Sequence, residues 1–252
     1  MNQLGDNQER TAADPVPQRR VRLGMPEAAP YVTYFIIAIT VLAYFLQGTA
    51  FGHRLIDLFI KDNQDIRAGE LWRLLTPALL HGGLMHILFN MYALLSFGTG
   101  LERHFGHGRF FLLYWLSAFA GNVMSFSLTE APSLGASTAV FGLVGAEAMF
   151  LLQNRKLLAG QFRSAIGNII FIVLINFFII GALPNIDNWG HIGGLVGGLL
   201  FSLFASPLWK VEGIPPVLHL VDQRSSRDVI VGAATVVLVF GALAMWEMMR
   251  IR

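Results

Sequence analysis

Long apolar runs alternate with short polar breaks along this chain, and most of the runs have a similar length. A helix that crosses a lipid bilayer needs about 20 mostly apolar residues. Seven segments fit: 31–50, 82–101, 109–128, 136–153, 166–183, 189–206 and 229–249. The second carries polar residues among its apolar ones, and the fourth is short and rich in small residues. Segment 51–80 is too polar to span and too apolar for a plain linker, so it is expected in or on the membrane interface. Residues 1–30 are polar and proline-rich and lack the apolar centre of a signal peptide, so they read as a disordered cytoplasmic tail. Residues 207–228 read as a loop.

Composition narrows the class. Of 252 residues, 54% are hydrophobic and only 13% are charged, against about 25% charged in an average soluble domain. The chain has no cysteine, which excludes disulfides, thiolate nucleophiles and cysteine-ligated metals. A net charge of +2 offers nothing for nucleic acid. The lysines and arginines matter for orientation instead. Arg10, Arg19, Arg20 and Arg22 of the tail, Arg103 and Arg109, then Arg155, Lys156 and Arg163, then Lys210, Arg224 and Arg227 all fall on one side. That side is read as cytoplasmic, with the protein in the cell membrane. The second, fourth and sixth spans then start at the extracytoplasmic face.

The polar residues of those three spans converge. His81, His86 and Asn90 open the second, Ser137 the fourth and His191 the sixth. Polar groups inside a membrane are costly and face a cavity or one another. A serine hydroxyl becomes a nucleophile when a histidine can take its proton. Contact between the fourth and sixth spans is favoured by Gly190, Gly194 and Gly198, by Gly193 and Gly197, and by a small surface of Gly135, Ala139 and Gly142, because small residues let backbones approach in lipid. His86 and Asn90 share one helix face. With the Ser137 N–H at a helix start, they could donate to an oxyanion. Asp187 belongs to the outer loop, which favours a dyad over a triad. Glu147 lies about 15 Å deeper than Ser137, too far to help. Asn122 and Asn176 are expected to bond between helices. His81 either lines the cavity or sits at the interface.

The stretches "GELWRLLTPALLHGGLMHILFNMYAL", "GASTAVFGLVGA" and "HIGGLVGG" resemble the rhomboid family of intramembrane serine proteases, in its bacterial type with six plus one helices. The resemblance covers roughly residues 69–200. It implies an all-α polytopic membrane protein: a six-helix core over 31–206 with an interfacial first loop at 51–80, a cytoplasmic loop at 207–228, and a seventh transmembrane helix at 229–252. Ser137 would be the nucleophile and His191 the general base, with His86 and Asn90 stabilising the oxyanion. Phe141 would pack on His191, and Trp72 and Arg73 would anchor the first loop. Gly135 and Gly194 belong to the matched motifs. Substrates would be single-pass membrane proteins cut in or near their membrane segment, with no cofactor or metal. Thr138 departs from the glycine common at that position and is expected to narrow the site. The fifth span, with its bulky apolar residues, is the expected lateral gate. The competing readings are an inactive rhomboid-like scaffold or chaperone and a small transporter. A transporter would favour internal repeats and polar groups near the midplane, and neither is visible here.

Overall fold

The computed structural model describes residues 28–184, 186–214 and 217–250. The tail expected over 1–30 therefore lies almost wholly outside the described residues.

Helix α1, Tyr31–Gln47, begins at Pro30 and stops at Gly48, three residues short of the expected 50. Its first N–H groups have no helical partner. The fully buried Glu102 supplies one: it accepts from the Val32 N–H at 2.8 Å, and from the Thr33 N–H at 2.7 Å and hydroxyl at 2.6 Å. A carboxylate is favoured at a helix N-terminus. His107 Nδ1 lies 2.6 Å from the same carboxylate.

The 51–80 segment contains no span. It folds as two short helices, α2 (Gly52–Phe59) and α3 (Asn63–Arg67), followed by 3-10 turns at Leu71–Leu74 and Thr76–Leu79. Asp62 caps α3 by accepting from the Gln64 and Asp65 N–H groups. Lys61, fully buried, donates to the carbonyls of Thr129 and Ala131 at 2.7 and 3.0 Å. It thereby holds the chain that leads to residue 137.

Helices α4 (Leu84–Ala93) and α5 (Thr99–Phe105), joined by a π turn at Leu94–Gly98, form one apolar span, Leu84–Phe105. This span runs further than the expected 101. Then come α6 (His107–Leu128), α7 (Ser137–Gln153), α8 (Ala159–Ile175, continued by a π turn at Asn176–Ile180) and α9 (Asn188–Ala205). The last helix, α10, covers Ser226–Arg250. Spans Leu84–Phe105, His107–Leu128, Ala159–Ile180 and Ser226–Arg250 are long and apolar enough to cross a membrane, and α1 and α7 are shorter apolar helices.

Helices α6, α7 and α9 pack on one another, and α10 lies across α6 and α9. Glycines on α9 set the spacing. A Cβ on Gly194 would collide with the Thr138 backbone, and one on Gly198 with the Gly142 backbone. On the neighbouring face, a Cβ on Gly193 would lie 2.7 Å from the Ala120 carbonyl oxygen, and one on Gly197 would meet the Ala120 methyl. One ladder therefore faces α7 and the other α6.

The loop expected over 207–228 is mostly a hairpin. Strand β1 (Trp209–Ile214) pairs antiparallel with β2 (Val217–Asp222). Side chains of the bundle fix its base. Asn154 accepts from the Trp209 N–H and donates to the Pro207 carbonyl, both at 2.9 Å. Asp222 accepts from the Leu208 N–H and from Arg109. These bonds satisfy strand-end groups that a free loop would leave to water.

Candidate active site

Ser137 is the first residue of α7, where no side chain caps the free N–H groups. The two residues before it turn sharply, and Gly135 has φ +136°, a conformation side-chain-bearing residues rarely adopt. The glycine is needed for space as well. A Cβ there would stand 2.8 Å from Cε1 and Nε2 of His86 and 3.6 Å from the Ser137 hydroxyl oxygen. The His86 ring thus closes over Gly135 beside Ser137.

His191 sits on the first turns of α9, buried. Gly194, three residues on, lets α9 touch the Thr138 backbone, and that contact brings the two functional groups together. His191 Nε2 lies 2.9 Å from the Ser137 oxygen. Phe141, one turn after Ser137, stacks on the His191 ring with centroids 4.4 Å apart and planes 19° apart. Its other neighbour is Phe177 of the π turn that ends α8, at 5.5 Å. His191 Nδ1 has no hydrogen-bond partner among the described residues. Asp187 caps α9 instead, accepting from the Gly190 N–H at 2.9 Å.

Asn90 is buried one turn below His86 and donates from Nδ2 to the His86 carbonyl at 2.9 Å. An amide NH2 carries two hydrogens, so one remains for another acceptor. Trp72 and Arg73 have a different station. Trp72 donates to the Leu58 carbonyl at 3.0 Å. The buried Arg73 reaches the Ile60 carbonyl, Glu70 and Asp65 at 2.9, 2.7 and 2.8 Å. Both hold the first loop together, and no contact joins them to the serine–histidine pair among the described residues.

Three expectations are corrected. Thr138 does not narrow the site: its side chain packs against Gly121 of α6 and Gly190 of α9, filling the seam between helices. Gly135 faces His86 and not α9; of the expected small surface Gly142 meets α9, at Gly198, and the Thr138 backbone meets it at Gly194. Asn176 bonds to the Ile172 carbonyl of its own helix, whereas Asn122 reaches the Leu74 carbonyl of the first loop. Two further residues complete the surroundings. His81 is buried behind His86, ring centroids 5.0 Å apart, and its Nε2 accepts from the Ala136 N–H at 3.4 Å. Gln47, the last residue of α1, bonds to the His81 backbone. A lone amide ending an apolar helix was its only signal in the sequence.

These features define a class: a polytopic helical membrane protein with a serine and a histidine in contact inside the bundle. The Rhomboid domain family model matches residues 68–208. The chain is 45% identical over 174 residues to "Rhomboid protease GluP" of Bacillus subtilis, covering 67% of this chain and 34% of that protein. It is 44% identical over 134 residues to "RHOMBOID-like protein 1" of Arabidopsis thaliana, covering 53% of this chain and 34% of the relative. It is 40% identical over 145 residues to "RHOMBOID-like protein 6, mitochondrial" of the same plant, covering 56% and 47%. The matched region spans between a third and a half of the length of these relatives. The chain belongs to the rhomboid family and is a multi-pass membrane protein.

Proposed function

We propose that the protein is an intramembrane serine endopeptidase that cuts single-pass membrane proteins in or near their transmembrane segment. The observation that carries this reading is the 2.9 Å separation of His191 Nε2 and the Ser137 oxygen. Neutral His191 takes the hydroxyl proton as the Ser137 oxygen bonds to the scissile carbonyl carbon. The resulting oxyanion is met by the Ser137 N–H, the His86 ring and the second Asn90 hydrogen. His191 then passes its proton to the leaving amine, and water hydrolyses the acyl-enzyme by the same route in reverse. Phe141 holds the imidazole face, so the ring keeps its aim. With no carboxylate bonded to Nδ1 among the described residues, the pair acts as a dyad. Trp72 and Arg73 act at a distance by keeping the first loop in shape.

A substrate helix hides its carbonyls in hydrogen bonds and must unwind to be cut. Entry is lateral, past α8. The basic residues gathered in the loops of one side support a cytoplasmic N-terminus and a site near the extracytoplasmic face of the cell membrane. Residues 31–206 form the protease core, with α10 as an added span. The decisive test is cleavage of a model single-pass substrate by purified protein in detergent, comparing wild type with Ser137→Ala and His191→Ala. Both variants are expected to stay folded and to lose at least about 10³-fold in rate. A folded wild type that cuts nothing would favour the scaffold reading, and cleavage by Ser137→Ala would overturn the mechanism.

A further inference from the structure

The side of the site that would meet the oxyanion is not held by its own helix. Two backbone N–H groups just before Ser137 are taken by segment 77–81: Gly135 N–H donates to the Pro77 carbonyl at 2.9 Å and Ala136 N–H to His81 Nε2 at 3.4 Å. The His86 ring leans on the edge of His81 and accepts from the Gly82 N–H at 3.4 Å. Besides the Pro77 carbonyl, His81 is therefore the residue that joins the backbone before Ser137 to the His86 ring. It precedes the first turn of α4 and belongs to no helix. Its position is set from α1. The Gln47 side chain donates from Nε2 to the His81 carbonyl and accepts from the His81 N–H, both at 3.1 Å. This two-point amide clamp holds the N–H and the carbonyl of one residue, and so the two peptide units that flank its Cα, as a paired strand would.

We infer that Gln47 is a positioning residue for the proposed reaction: through its clamp on His81, α1 sets the His86 ring and the backbone before Ser137. The inference rests on the serine-protease reading above. Gln47 touches neither Ser137 nor His191 among the described residues, and the proton path between those two is independent of it. Loss of the clamp should therefore slow the chemical step while leaving substrate binding and the ionisation of His191 alone.

The test compares wild type with Gln47→Met, which keeps the volume and loses both bonds, and Gln47→Glu, which keeps the acceptor for the His81 N–H. Four quantities are read in detergent: kcat and KM for a single-pass substrate, the acid limb of the pH profile, the rate at which a fluorophosphonate labels Ser137, and hydrogen exchange over residues 134–138. In the labelling step the Ser137 oxygen bonds to phosphorus, fluoride leaves and the serine proton passes to His191. For Gln47→Met, kcat and the labelling rate are expected to fall about tenfold, less than loss of a direct oxyanion donor. KM and the acid limb should stay in place, and exchange at 135–136 should quicken. Gln47→Glu should lie between Met and wild type, and it carries the test alone if Gln47→Met does not fold. Wild-type kcat with unchanged exchange in both variants would overturn the inference. So would a loss of kcat that tracks a fall in thermal stability while labelling and exchange stay normal. Should wild type itself neither cut nor label, the protease reading fails, and the exchange measurement, which needs no activity, still decides the clamp.

Discussion

Helices α8 and α9 follow one another in the chain, yet they sit in the protein in opposite ways. Helix α9 buries Gly190, His191, Gly193, Gly194, Gly197 and Gly198 between two neighbours. Helix α8 buries only Ile169, and Phe171, Phe178 and Ile179 are exposed by 62%, 76% and 64%. Hydrophobicity cannot cause the difference, because lipid tails are as apolar as either helix. Inside a bilayer, association goes to surfaces that let backbones approach, and small residues supply them. The size of the side chains thus sorts a fixed half of the molecule, which carries Ser137 and His191, from a loosely held helix. That helix meets the site through Phe177 against Phe141.

The sharpest way to break this comparison is to give α9 a side chain where it has none. Gly194→Val drives branched carbons into the Thr138 backbone, which cannot yield as a side chain could. The expected cost exceeds about 3 kcal/mol, and separation of Ser137 from His191 should abolish cleavage. Thermal unfolding and cleavage, measured together, check it; a stable, active variant would refute the locked half. Next comes the loose half. Because the chain has no cysteine, cysteines introduced on α4 and α8 can be cross-linked cleanly. Cleavage of a membrane substrate should drop at least about tenfold and return on reduction, while fluorophosphonate labelling of Ser137 persists. Unchanged cleavage would remove α8 as the entry route.

The smallest effect asks how far the fixed half extends into the first loop. Burial pushes the Lys61 ammonium pKa from the usual 10.5 down to about 8, against the attraction of Asp187, Glu130 and Asp62. Between those values the folded protein holds fewer protons than the unfolded chain, so this group adds stability as pH rises from 8 to 10.5. The contribution should be roughly 3 °C in Tm per pH unit, and Lys61→Met should flatten it. A slope that survives the substitution would show that the loop is not tied to the α7 approach through Lys61.

The two side chains proposed to act were conspicuous in the sequence for an energetic reason. Ser137 and His191 stand in apolar spans where polar groups are expensive, and the glycine ladder announces which spans can touch. Side-chain direction was less legible. Gly135 and Thr138 are only three residues apart, and the turn at Gly135 decides that His86 covers one while α6 and α9 enclose the other. The hairpin at 209–222 was missed because two strands of six residues, split by a proline pair, carry little periodic signal between two strong spans. Gln47 escaped because its partners are backbone groups, which look alike in every residue.

The two glycine ladders on α9 also fix its phase. Each added residue turns a helix by about 100° and lengthens it by about 1.5 Å. One residue inserted between His191 and Gly193 would move Gly193 and Gly197 from the α6 groove to the α7 groove and turn bulky Val196 toward the backbone of α6. The same insertion near the middle of α8 would rephase Ile169 or Phe177, and elsewhere would exchange one set of apolar side chains for another against lipid. Chain length, as much as residue identity, is therefore specified along α9, whereas in α8 only the contacts of Ile169 and Phe177 depend on it.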